Sequence, residues 1–201
     1  MAGAMKIHDI TRQLSPETFV WPGDPAVTYS QRVQDGYTVT GICMGSHSGT
    51  HIDAPLHVIP GGAGIEAVPL EAAVGPVLLR DVPPGPVPAG VFEGTSLLRV
   101  IIHSGWSADE PECYGYLQEE DARTLVEAGI IAIGTDAPSI EAPEGDGAVH
   151  RILLAAGVVI IELLDPGDLP GGEYMMVALP ISCKGLDGSP ARVILIEDMV
   201  S

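Results

Sequence analysis

A chain of 201 residues, 46% of them apolar, can bury a sizeable core and is expected to form one domain over 1–201. Its 27 acidic and 9 basic residues give a formal net charge of −18; a phosphate backbone is repelled by such a surface, and no basic stretch offsets it, so nucleic acid is excluded as a partner. No apolar run approaches the ~18 residues of a membrane span, and MAGAMKIHDI lacks the segments of a secretory signal, so no membrane partner is expected.

Residues 1–4 read as an expression scar ahead of Met5. The first half of the chain is rich in glycine and proline and reads as β structure with turns. Within it, WPGDP (21–25) sets Trp21 beside a turn, where the indole either packs locally or faces a pocket. PGGAGIE (60–66) looks like a phosphate loop but lacks GxGxxG and GxxxxGK[ST] and is set aside. DVPPGPVPAG (81–90) is the strongest break and reads as a loop inside one domain. Apolar runs of strand length follow at LLRVIIHSG (97–105), GIIAIGTD (129–136), GVVIIELLD (157–165) and ARVILIED (191–198). His103 ends the first of these; it either caps a buried strand, the favoured reading with no charged residue within three positions, or lines a pocket. QEEDARTLVEAG (118–129) predicts a helix, with acids early, Ala122, Leu125 and Val126 at helical spacing, and Gly129 as a stop. HRILLAAG (150–157) predicts a second short helix. Strands alternate with helices only in the second half, which predicts a mixed α/β fold rather than a regular doubly wound sheet. Cys43, Cys113 and Cys183 are odd in number and widely spaced, which argues against a disulfide framework and for a reducing, cytoplasmic setting. They are expected to be buried or half-buried small hydrophobes.

The stretch SHSGTHIDAPLH (46–57) holds three of the six histidines and an aspartate in twelve positions. It is either a histidine-rich surface turn or a metal site. A helix is contradicted by Gly45, Gly49, Thr50, Ile52 and Pro55. In extended backbone the odd positions His47, His51, Asp53 and His57 share one side, and Gly49 leaves room there. Ten extended residues span roughly 33 Å, far too long for one coordination shell, so the chain must bend, and Gly49 and Pro55 are the places for it. His51 and Asp53, about 7 Å apart along the chain, are the easiest pair to share an ion. His57, beyond Pro55, is the least secure ligand and the best acid/base. Histidine and carboxylate are donors that zinc takes, which favours the metal reading.

Glu162 points the same way. It interrupts the run VVIIELL, and Ile160 and Leu164, which share its parity, are apolar. A buried carboxylate needs a cation. His150 stands twelve residues earlier, and a helix–turn–strand reversal would bring it to Glu162. The site would then have His47, His51 and Asp53 on one face and His150 and Glu162 on the other.

HSGTHIDAPLH (47–57) matches the signature HxGTHxDxPxH at every fixed position, and here the chain resembles the cyclase-family metal-dependent hydrolases, which include bacterial kynurenine formamidase and isatin hydrolase. WPGDP (21–25), GTDAPSI (134–140), HRILLAAGVVIIE (150–162) and LDGSPARV (186–193) are similar to the family's other motifs in the same order, so the resemblance runs from about Lys6 to Glu197. It implies a swivelling β/β/α-type fold, a homo-oligomer (commonly a dimer) and a divalent-metal hydrolase site. By position it implies His47, His51 and Asp53 around one zinc, and Asp53, His150 and Glu162 around a second. It also implies His57 as proton donor/acceptor and Trp21 as the aromatic that touches substrate. Isatin hydrolases share the signature but resemble single-manganese enzymes, so two zinc ions and one manganese ion both stand. HSGW (103–106) departs from the pattern, where many relatives carry an arginine–threonine pair.

The expected activity is hydrolysis of a small-molecule amide, foremost an aryl formamide such as N-formylkynurenine in tryptophan catabolism. His57 would pass a proton to the leaving nitrogen. A cyclic amide of the isatin type, a lactone or a polyketide-type ring is the alternative substrate. A non-catalytic metal-binding module is a different class of answer; structural zinc sites are closed and usually cysteine-rich, so the spare His57 speaks for catalysis.

Overall fold

A computed structural model of the chain describes residues 5–197. The four residues read as an expression scar, and Asp198 at the end of ARVILIED, lie outside the described residues. The apolar runs of the second half do form strands: β7 (Arg99–His103), β9 (Ala132–Thr135) and β10 (Val159–Glu162), preceded in the chain by β1 (Ile7–Asp9), β2 (Thr28–Gln34), β3 (Tyr37–Cys43), β4 (His51–Asp53), β5 (Val74–Asp81) and β6 (Gly85–Pro86). A two-residue β8 (Gly115–Tyr116) lies between β7 and β9, and the chain closes with β11 (Gly172–Pro180) and β12 (Gly188–Ile196). Three helices, α1 (Leu70–Ala73), α2 (Glu119–Glu127) and α3 (Ala148–Ala155), complete an α/β architecture.

The principal sheet runs β1-β12-β11-β5-β7-β9-β10-β4, and β4 pairs again with β12, so the sheet closes on itself as a barrel. Closure depends on the length of β12. One of its edges pairs with β1 through 194–196 and with β4 through 188–190, both antiparallel, while β11 takes the other edge. The stretch β5-β7-β9-β10 is parallel, and parallel strands covered on both faces read as unbroken apolar runs. Alternate residues separate the two faces. Leu79, Ile101 and Ile161 join Ile52, Val193 and Leu195 in the barrel interior. Leu78, Val100, Ile102, Ile133 and Ile160 face outward beneath Ala122 and Leu125 of α2 and Val149 and Leu153 of α3.

The helix termini follow the predicted chemistry. Gln118 caps α2 in a reciprocal box with Asp121, and three acids fill the first turn, where the helix dipole favours negative charge. α3 begins two residues earlier than the HRILLAAG run, so that His150 lies in its first turn on the buried face.

Sequence patterning did not pick out the strands of the first half one by one, nor β11. β11 is built largely from Met175, Met176, Ala178 and Leu179, residues without strand preference, and is held by pairing on both edges. β2 and β3 form a separate hairpin whose fourteen residues are all exposed. Asp35 (φ 52°) and Gly36 (φ 83°) make its two-residue turn, the conformation that a type I′ hairpin requires. The expectation of buried cysteines fails at two positions: Cys43 and Cys113 are exposed, Cys43 because it ends the hairpin, and only Cys183 is half-buried. All three are free thiols.

Ile101 is fully buried in the barrel interior. Ile101→Ala is expected to destabilise the fold by about 2–5 kcal/mol. A lower denaturant midpoint at unchanged slope would record it.

Candidate metal centre

Only His51, Ile52 and Asp53 of the histidine-rich stretch form a strand; the chain bends on either side. Gly49 takes φ +61°, and a Cβ there would lie 2.7 Å from the Leu14 side chain, so the bend demands glycine. Beyond Ala54, Pro55 opens a 3-10 turn over Pro55–His57. The two bends fold His47 and His57 back together, with ring centroids 4.1 Å apart, and His51 stands 4.9 Å from His47. Parity accounts for His51 and Asp53; the bends account for the other two.

Strand pairing supplies the rest. β4 runs antiparallel to β10 with His51 opposite Glu162 and Asp53 opposite Ile160. Residues opposite one another across a ladder project to the same face, and Ile160 belongs to the face that α3 covers. His150 therefore descends from α3 onto Asp53 and Glu162. Its Nε2 lies 3.2 Å from Glu162 Oε1 and 3.7 Å from Asp53 Oδ2. His51 Nε2 stands 3.3 Å from Asp53 Oδ1 and 3.6 Å from Glu162 Oε2, and His47 Nδ1 is 2.9 Å from Asp53 Oδ1.

The other four side chains expected at the centre thus surround Asp53, but the tightest groups differ from the expected sets. His51, Asp53 and Glu162 form one trio with donor atoms within 4.8 Å of one another, and His47, Asp53 and His57 form the other. His57 accordingly lies at ligand range as well as on the pocket wall.

The electrostatics explain why such a group holds together. Asp53 and Glu162 are buried. Burial alone would raise the Asp53 pKa, but hydrogen bonds with His47 and His51 outweigh it and hold the carboxyl well below its usual value. Burial opposes charge on His51 too, yet Asp53 and Glu162 lift its pKa to about 10, and Glu141 and Glu162 raise that of His150 in the same way. His57 differs: burial lowers its pKa, and the neighbouring His47 and His150 act in the same direction against the pull of Asp53 and Glu162. Asp53 Oδ2 is buried without a hydrogen-bond partner. An orphaned carboxylate oxygen among imidazole nitrogens fits a divalent cation, because histidine and carboxylate are the donors that zinc accepts.

Two carboxylates with no role assigned from sequence complete the arrangement. Glu141 Oε1 lies 2.5 Å from His150 Nδ1, and Gly49 O accepts from His51 Nδ1 at 2.7 Å. Each contact turns the Nε2 of its ring toward the centre, the way metal-binding imidazoles are oriented. Asp187 Oδ2 lies 3.2 Å from His47 Nε2 and 3.8 Å from His57 Nδ1, and its other oxygen accepts from Ser46. The motifs GTDAPSI and LDGSPARV marked both places, since Glu141 follows the first and Asp187 lies in the second. Neighbouring Gly188 cannot carry a side chain, because a Cβ would sit 2.6 Å from the His47 ring.

The centre forms the floor of a cavity of about 250 Å³, with Phe19, Trp21, Val58, Pro138 and Leu163 on its walls. Trp21 is at the rim, 45% exposed, and Phe19 is braced edge-on against Trp106 at 5.2 Å. His103 is outside the cavity lining; it pairs with Asp81 at 3.1 Å and approaches Asp136 at 3.7 Å, partners remote in sequence.

A family model described as putative cyclase matches residues 8–142. The chain belongs to this family. A kynurenine formamidase of Salinibacter ruber is 35% identical over 95% of this chain and 97% of its own length. The solved structure of a predicted metal-dependent hydrolase from Bacillus stearothermophilus is 32% identical and superposes with a TM-score of 0.82 over 97% of this chain and all of its own (100%). Isatin hydrolase A of Labrenzia aggregata shares the fold at 24% identity, with a TM-score of 0.81 over 97% of this chain and 94% of its own.

Glu141→Gln is expected to weaken divalent-ion binding by about 10–100-fold while leaving the fold intact. Zinc titration of metal-free protein against a chromogenic chelator measures it.

Proposed function

We propose that this chain is a metal-dependent amidohydrolase that cleaves aryl formamides, N-formylkynurenine foremost, as in tryptophan catabolism. The observation that carries the reading is the orphaned Asp53 Oδ2, buried beside His47, His51, His150 and Glu162, the side chains that floor an aromatic-walled cavity. The likeness to kynurenine formamidases over nearly the whole chain supports it.

The residues divide into four roles. His47, His51 and Asp53 would hold one divalent ion, and Asp53, His150 and Glu162 a second; the preferred metal is zinc. Ions bound there would supply Lewis-acid polarisation of the acyl oxygen and acidify water at the site. Glu141 and Gly49 O fix the His150 and His51 rings from behind. His57 reaches the cavity with Nδ1 toward Asp187, and no described residue hydrogen-bonds its Nε2, the atom that would carry the proton to the leaving nitrogen. Trp21 and Phe19 offer flat apolar faces to the aryl ring. The reading extends to a cytoplasmic homodimer acting as one domain, with its free thiols suited to a reducing compartment.

The deciding experiment compares aryl formamides, aliphatic formamides, isatin and simple lactones before and after chelation, with elemental analysis of the protein. Aryl formamides should be cleaved fastest, and the activity should vanish with the metal. Opening of a cyclic substrate with indifference to formamides would replace the substrate and leave the metal centre standing; full activity in metal-free protein would end the reading.

His57→Ala is expected to keep its metal and lose turnover by about 10²–10⁴-fold. Loss of metal together with activity would make His57 a ligand, as its distance to His47 and Asp53 allows. Trp21→Ala is expected to raise KM for aryl formamides more than it lowers kcat, because an indole face contributes equally to ground-state and transition-state binding. Steady-state kinetics on aryl and aliphatic formamides separate the two parameters.

A further inference from the structure

The cavity has a charge bias that its aromatic walls do not explain. Asp24, Glu141 and Glu162 line it, and among the described residues no lysine or arginine does. Glu141 and Glu162 are engaged by His150, which leaves Asp24 as the carboxylate exposed at the rim. Divalent ions at the floor would not reverse this bias, because Asp53, Glu141, Glu162 and Asp187 already surround the histidines there.

Asp24 is presented by the same turn as Trp21. The Asp24 N–H donates to Trp21 O at 3.0 Å, and Gly23, at φ +103°, gives the turn its left-handed residue. The indole and the carboxylate thus stand side by side on one rim, both facing the cavity. An aromatic face next to a carboxylate suits an ammonium group, which the ring attracts through its quadrupole and the carboxylate through its charge. It repels a carboxylate substituent, and the net charge of −18 acts in the same sense on approach.

We infer that the Trp21–Asp24 turn is an ammonium-recognition element, and that the cavity selects aryl substrates whose ring substituent carries an ammonium group over neutral ones, and neutral over anionic. Asp24 is the specificity-determining residue. The inference rests on the formamide reading only for the bond that is cleaved; the charge preference belongs to the cavity itself.

The test uses three formanilides that differ at the para position: unsubstituted, aminomethyl (cationic) and carboxyl (anionic). The cationic substrate should lead the neutral one by about tenfold in kcat/KM, chiefly through KM, with the anionic one last. Asp24→Asn should erase most of the cation-to-neutral ratio, and added salt should compress it in the wild type. A ratio unmoved in Asp24→Asn, or an anionic substrate cleaved as well as the cationic one, overturns the inference. If no formamide is cleaved at all, the formamide reading has failed instead. Calorimetric binding of benzylammonium against benzyl alcohol then decides the charge preference by itself: tighter benzylammonium binding that is lost in Asp24→Asn upholds it, and equal affinity overturns it.

Discussion

Asp53 is 1% exposed on the seam where β4 pairs with both β10 and β12, and an ionised carboxylate held out of water costs several kcal/mol unless positive charge and hydrogen bonds meet it. Much of the local architecture answers that constraint. His47 and His51 approach from its own segment, His150 comes down from α3, and the second carboxylate, Glu162, doubles the demand for cationic partners. Removing water while concentrating two carboxylates in this way destabilises the ion-free protein relative to one with an apolar seam. The same carboxylates, with Glu141 and Asp187, draw the histidine pKa values upward at His47, His51 and His150 against the effect of burial.

Holding those side chains together forces departures from regular backbone. β10 ends at Glu162, and Leu163 follows at φ +55°, a conformation that costs a non-glycine residue about 1–3 kcal/mol. The surroundings over-determine it: Leu163 N donates to Ala137 O, and Leu163 O accepts from Thr50 Oγ1 at 2.5 Å. The consequence is useful. Leu163 turns its side chain to the Trp106 and Tyr114 cluster and to the cavity wall, directly beside the carboxylate that precedes it. Polar floor and apolar wall are therefore set by two consecutive residues of the strand end.

The parallel strands were legible because unbroken apolar runs such as VIIH and VVII mean cover on both faces, and the His51–Asp53 pair was legible from strand parity. Glu162 declared itself by interrupting an apolar run. Barrel closure was not legible, since it depends on β12 sharing one edge between β1 and β4, a pairing without local signature. β11 was hidden by residues that helices favour equally. Glu141 and Asp187 lie beside and within motifs that marked their places, but their roles were not legible, because those rest on three-dimensional proximity to His150, His47 and His57. The trios whose donor atoms lie tightest around Asp53 could not be read from spacing for a related reason: spacing along the chain gives reach, and the bend at Pro55 decides which ring turns inward.

The proposed chemistry and its selectivity are carried by different kinds of structure. His51, Asp53 and Glu162 stand on paired strands, and His150 on a helix packed against them, so their positions are fixed to the precision that ligation requires. Phe19, Trp21 and Asp24 lie on an irregular segment before β2, and Pro138, Ala142 and Pro143 on the loop between β9 and α3. Loop residues can be exchanged without disturbing the barrel, whereas a change at the seam leaves a buried charge unpaired. A fold built this way can keep its floor while its rim changes. In this chain the turn that carries Trp21 and Asp24 sets a ring and a charge side by side on a rim that the barrel does not constrain.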